Sequence, residues 1–152
     1  MNRSLAREIA VQMVYGAPVS LKDMADIDSF INEFLSKEHF ETLISLDDED
    51  MFDEVPKGGM LKYIKSTVLG VFAHIDEIDG AIQKNSEGWK ISRISKTAMA
   101  VLRVAVYELL YSEDVPIGVA INSAVEIDKG YDDEKTVSFV NGVLGSVAKQ
   151  LA

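Results

Sequence analysis

Arg3 and Arg7 stand four residues apart near the start of the chain, followed by Gln12 and Tyr15. On a helix the two arginines share a face and could grip successive phosphates of a nucleic acid. Near the other end, Tyr131, Lys135, Phe139 and Asn141 bring together aromatic, cationic and amide groups. Such groups stack on unpaired bases and hydrogen-bond their edges, which is the chemistry of single-stranded RNA recognition. The same residues also fit a plainer account, in which the arginines are solvated and Tyr131 and Phe139 pack in a core. Spacing alone leaves both accounts open.

Other chemistry finds less support. With no cysteine in the chain, disulfides, thiolate zinc sites and cysteine nucleophiles are excluded. His39 and His74 are the only histidines, far apart and without the spacing of a zinc motif. Asp48 and Asp50 could open a calcium loop, but its sixth and twelfth positions would be Asp53 and Gly59 instead of Gly and Glu. No glycine-rich phosphate loop occurs, and Gly142 and Gly145 sit inside a periodic helix where they read as packing residues. The expectation is a binding protein with no catalytic residues, no cofactor and no metal.

A chain of 152 residues fits one domain with a core that needs no staples, and 47% hydrophobic content is too apolar for disorder. The N-terminus lacks a secretory pattern, and the longest apolar run, Ala98 to Leu110, is too short to cross a bilayer. A cytoplasmic location is expected. The net charge of −10 argues against nucleic acid until its distribution is considered. Residues 38 to 54 hold eight acidic side chains and no Lys or Arg; removing those eight from the 25 acidic residues leaves 17 against 15 basic ones. The acidity is largely local.

The elements that must position these residues are helices. Apolar spacing predicts a first helix from about Arg3 to Tyr15, stopped by Gly16-Ala17-Pro18. Ser20 with Asp23 resembles a capping box, and Val19 with Met24 a hydrophobic staple, before a second helix whose inner face is Met24, Ile27, Ile31 and Phe34. After the acidic segment, Leu61, Ile64, Val68, Val71, Ile75, Ile78 and Ile82 run at spacings of three and four, predicting one helix of about six turns from near Met60 to near Lys84. Asn85-Ser86-Glu87-Gly88 is the central turn, with Trp89 and Ile91 sealing the joint. A nearly all-apolar helix from about Ser95 to Tyr111 is the expected centre of the second half. The next helix starts at Asp114-Val115-Pro116, with Ala120, Ala124, Ile127 and Tyr131 inward. The last begins at Asp132 or Asp133 and turns Val137, Val140, Leu144, Val147 and Leu151 to the core. No strand pattern appears, so the fold class is all-α.

Leu5-Ala6-Arg7-Glu8-Ile9-Ala10-Val11-Gln12-Met13-Val14-Tyr15, Leu102-Arg103-Val104-Ala105-Val106-Tyr107-Glu108-Leu109-Leu110, Val115-Pro116-Ile117-Gly118-Val119-Ala120-Ile121-Asn122 and Phe139-Val140-Asn141-Gly142-Val143-Leu144 occur in this order. Together they resemble the NusB family of bacterial transcription antitermination factors; residues 37 to 59 show no family pattern. The resemblance implies two perpendicular helical bundles forming a single domain over residues 1–152, with halves at about 1–85 and 86–152 and an acidic insertion at about 38–57. It implies binding of boxA-type single-stranded RNA together with the ribosomal protein NusE, within the transcription elongation complex on ribosomal RNA operons. The family's basic N-terminus maps onto Arg3 and Arg7, and its RNA surface near the last interhelical turn onto Tyr131, Lys135, Phe139 and Asn141. Relatives often carry three or more basic residues in the N-terminal segment where this chain has two. Weak intrinsic RNA affinity and greater dependence on NusE are therefore expected. Two alternatives remain: a NusB-fold protein-interaction module, and an RNA-binding module like that of ribosomal RNA cytosine methyltransferases. A chain ending at Ala152 without a cofactor loop is expected not to methylate alone. Monomer and homodimer are both compatible with the sequence.

Overall fold

The computed structural model describes residues 2–18, 23–36, 56–88 and 90–151, the side chain of Ile91 excepted. Among them are seven α-helices, a single 3-10 turn at Ile91–Arg93, and no strand. The acidic segment, Trp89, and the Val19 and Ser20 partners of the expected staple and capping box lie outside the described residues. Chain contacts divide the molecule into two compact units, Met1–Ala73 and His74–Ala152.

In the first unit, α1 (Arg3–Gly16) starts where the Asn2 side chain accepts the Leu5 N–H at 2.9 Å. Ala6, Ile9, Ala10 and Met13, one stripe of a helix, are wholly buried. The helix ends as expected: the Ala17 N–H bonds back to the Met13 carbonyl, and Pro18 follows. α2 (Met24–Phe34) begins three residues later than a cap at Ser20 would place it. Asp23 is its N-cap, accepting the Ala25 N–H at 2.8 Å, and not the third residue of a capping box. A short carboxylate reaches the first free N–H groups directly, so no earlier residue is needed. Its buried side is Ile27 and Ile31; Met24 is exposed and Phe34 half-buried. α3 (Gly58–Ala73) packs on both α1 and α2 through Tyr63, Ile64, Thr67, Val68 and Val71.

The expected six-turn helix is two helices. At His74 the backbone (φ −119°, ψ 24°) leaves the helical well, and α4 (Ile75–Lys84) begins. The three-and-four apolar rhythm continues across the single-residue break, so periodicity could not reveal it. Contacts on the second unit hold it: the His74 ring stacks on Tyr111 at 4.0 Å, the Tyr111 hydroxyl donates to Glu77, and Arg103 makes two 2.9 Å bonds to Asp79. Asp76 and Glu77, in the first turn of α4, suit a new helix N-terminus. Because α4 packs on α5 and α7, the division falls at Ala73–His74 and not near residue 85.

α5 (Lys96–Tyr111) is the centre of the second unit, as its composition predicts, packed by α4, α6 (Ile117–Lys129) and α7 (Glu134–Leu151). Ser95 caps it through the Ala98 N–H. In the turn after α4, Asn85 accepts from Ser146 and Gln150 of α7, and Gly88 takes a positive φ of 76° that favours glycine. Pro116 is the N-cap of α6 and not its first helical residue. The inner side of α6 also differs from expectation. Ala120 and Ala124 are buried, but Ile127 is half-buried, Tyr131 is exposed, and Asp128 takes the inward position. On α7 the seam is Val140, Val143, Leu144 and Val147, with Val137 half-buried and Leu151 exposed where the helix runs past its neighbours. A Cβ built on Gly142 or Gly145 would meet nothing within 4 Å. They are not packing glycines, because α7 turns these positions away from close neighbours.

Candidate nucleic-acid interface

On the first unit the two N-terminal arginines meet Tyr63 of α3. The Arg3 guanidinium lies 4.2 Å from the ring centroid and that of Arg7 5.7 Å. Both lie within cation–π range, so the shared helical face is real. Their accessibility differs: Arg3 is exposed, whereas Arg7 is only 3% exposed. The expectation that each grips a phosphate is thus corrected by burial, for Arg7 lies inside the unit and only Arg3 faces water. Tyr63 escaped the sequence reading because the apolar seam of α3 passes through Leu61 and Ile64. The signal available was an aromatic residue flanked by Lys62 and Lys65.

Gln12 and Tyr15 do not join that face. At about 100° per residue, Gln12 lies roughly 180° around α1 from Arg3, and Tyr15 about 120° around and about 18 Å along. Gln12 is half-buried, whereas Tyr15 is exposed at the last turn. A strand touching both Arg3 and Tyr15 must wind along α1.

On the second unit, Tyr131 sits in the α6–α7 turn, 43% exposed, with its N–H bonded to the Asp128 carbonyl at 2.9 Å. Lys135 is exposed on the first turn of α7, and Phe139, half-buried, lies one turn beyond on the same side. Asn141 is not with them. Two residues past Phe139 it points about 200° away, into a groove of about 480 Å³ that it lines with Asn122, Glu126 and Lys129 of α6 and Asp132 and Ser138. The four residues grouped by sequence are therefore a cation–aromatic face and a separate amide-lined groove.

The turn between these surfaces is strongly acidic. Asp133 accepts the Thr136 N–H at 2.9 Å, and this bond holds its carboxyl below the usual range. Asp132 accepts from the Ser95 and Thr97 hydroxyls at 3.1 and 2.8 Å, tying the turn to the start of α5. Asp128 is 0% exposed. As a carboxylate, neither of its oxygens has a hydrogen-bond donor. Burial first, then a hydrogen bond with Asp132 and the charges of Asp132 and Asp133, push it up to about 7. Protonated, Asp128 would itself be the donor, to the Asp132 carboxylate. Nothing in the sequence distinguished Asp128 from the surface carboxylates. Among the described residues no group of three or more His, Cys, Asp or Glu could hold a metal ion, and no helix is long and apolar enough to cross a membrane.

Comparison with known proteins extends this picture. The model of the NusB family matches residues 4–149. The transcription antitermination protein NusB of Clostridium botulinum is 41% identical over 151 residues, covering 99% of this chain and 100% of that protein. Its counterpart from Acetivibrio thermocellus is 41% identical over 149 residues, covering 98% and 90%. A solved structure of T. maritima NusB superposes with a TM-score of 0.69 at 27% identity, covering 99% of this chain and 92% of that one. A structure of the antitermination factors NusB and NusE in complex with double-stranded RNA gives a TM-score of 0.72 at 25% identity, covering 97% and 96%.

Proposed function

Because the chain belongs to the NusB family, we propose that it is a transcription antitermination factor that binds boxA-type RNA together with the ribosomal protein NusE. The reading is of a non-enzymatic cytoplasmic protein acting within the elongation complex on ribosomal RNA operons. The observation that carries it is the family match over nearly the whole chain. The surfaces described above supply the chemistry. Arg3 and Tyr15 on α1, and Tyr131 in the α6–α7 turn with Lys135 and Phe139 on α7, offer cations and stacking rings to phosphates and bases. Arg7 supports this surface from beneath, holding Tyr63 under Arg3. Asn141 acts separately, offering its amide from the groove.

The test is fluorescence anisotropy with boxA-type single-stranded RNA, with and without NusE, and a duplex of the same sequence as control. Weak binding alone and clear tightening with NusE are expected, with Asn141→Ala weakening binding while leaving the melting temperature unchanged. Absence of RNA binding in either condition overturns the reading. Binding of NusE without RNA selects the protein-interaction module instead, which the burial of Arg7 and the net charge of −10 favour.

A further inference from the structure

We infer that Asp128 and Asp132 share one proton, and that this proton positions the α6–α7 turn, with Tyr131 and Lys135, for RNA. Asp128 is thereby a positioning residue to which RNA affinity is linked; the inference rests on the RNA reading above. The geometry begins with the inward face of α6, where Ala120 and Ala124 are followed by a carboxyl group that is wholly buried. A carboxylate there lacks a donor on either oxygen, so the neutral acid is favoured. Four residues on, Asp132 supplies a carboxylate to receive the proton, while the Tyr131 and Asp132 N–H groups both bond to the Asp128 carbonyl at 2.9 Å. Asp132 in turn accepts from Ser95 and Thr97, and Ser95 caps α5. A continuous path runs from the Asp128 proton, through Asp132, to the N-terminus of the central helix.

The charged groups acting on Asp128 are Asp132 and Asp133 of the turn. On α6 itself, Lys129 is paired with Glu126 at 2.8 Å. On α7, Glu134 and Lys135 are exposed, and on α5 Lys96 is exposed between the two hydroxyl-bearing residues. Loss of the shared proton leaves two carboxylates facing each other, with a third at Asp133. The turn then relaxes away from Ser95 and Thr97, and Tyr131 and Lys135 move with it. The raised position of Asp128, about 7, puts the change within the physiological range.

The test compares the full chain with Asp128→Asn, which keeps the shape but cannot ionise. Two readouts are followed from about pH 5.5 to about pH 8.5 at constant ionic strength. One is the NMR signals of the aspartate carboxyls and of the Tyr131, Asp132 and Ala98 amides; the other is anisotropy with a short single-stranded RNA. In the parent protein the amide signals should move with one carboxyl titrating near neutrality, and RNA affinity should fall roughly three- to tenfold over the same range. Asp128→Asn should abolish both changes and retain the tighter binding at high pH. Parallel RNA profiles in the two proteins, or an Asp128 carboxyl titrating in the ordinary range, overturn the inference while leaving the RNA reading intact. No RNA binding by either protein at any pH overturns that reading and the inference together. Should Asp128→Asn fail to fold, Asp132→Asn is used: it removes the opposing charge and should move the titration of Asp128 downward, and an unmoved titration overturns the pairing.

Discussion

Arg3 and Arg7 show how burial separates two residues of one type on one helical face. Arg3, exposed over Tyr63, can neutralise a phosphate, so Arg3→Ala should flatten the slope of log K against log salt by about 0.7 for single-stranded RNA. Arg7→Ala should act on the fold, costing about 1–3 kcal/mol as a buried guanidinium's hydrogen-bonding and packing are lost. Salt-dependent binding and urea denaturation distinguish the two; a phosphate-like slope change at Arg7 would contradict its burial. Asp128 carries a stability prediction of its own. Its carboxyl is raised in the folded protein to about 7, so folding takes up a proton between the ordinary carboxylate range and that value. Its contribution is fully present below the ordinary range and is lost as pH rises to about 7, after which the penalty is constant. Asp128→Asn should therefore gain in relative stability with rising pH, reaching on the order of 1–4 kcal/mol above neutrality. Denaturation curves of parent and variant from acid to neutral pH check this, and a constant difference between them would refute it.

The helices are held by a few specific links between apolar seams. The Arg103–Asp79 pair joins α4 to α5 through two parallel bonds at 2.9 Å, with both side chains about one quarter exposed. Arg103→Ala should cost about 1.5–3 kcal/mol, the range for a hydrogen bond to a charged group. Amide hydrogen exchange should show the loss concentrated in α4, whose start at His74 depends on contacts with α5. At Gly142, exposed in the middle of α7, the expected change has the opposite sign. With open space for a Cβ, Gly142→Ala should stabilise by about 0.5–1 kcal/mol through the lower entropy of the unfolded chain. A rise in melting temperature with weakened RNA or NusE binding would show that the missing side chain serves a partner.

At the scale of the molecule, charge opposes the proposed function. The net charge is −10, and eight of the 25 acidic residues fall within residues 38 to 54. Repulsion of phosphates by that segment acts mostly within about 8–10 Å at physiological salt. Replacing Asp47, Asp48, Glu49 and Asp50 with Asn or Gln should leave the melting temperature unchanged. It should also raise non-specific RNA affinity at low salt, with the gain fading as salt rises. Unfolding, or loss of NusE binding, would instead make the segment structural or a partner site.

Sequence periodicity by itself determined the all-α class, the extent of α1, α5 and α7, and the central place of α5, because burying one stripe of a helix leaves a 3.6-residue signature. Periodicity turned Tyr131 inward with Ala120 and Ala124, whereas it lies exposed in the turn after α6. The break at His74, the inward turn of Asp128, the burial of Arg7 and the separation of Asn141 from Phe139 belong to tertiary structure. Each depends on a neighbour distant along the chain: Tyr111 for His74, Ser95 and Thr97 through Asp132 for Asp128, Tyr63 for Arg7 and α6 for Asn141. A helical repeat records only which side of a helix is apolar. What a polar residue on that side meets, and whether water still reaches it, is decided when the helices pack.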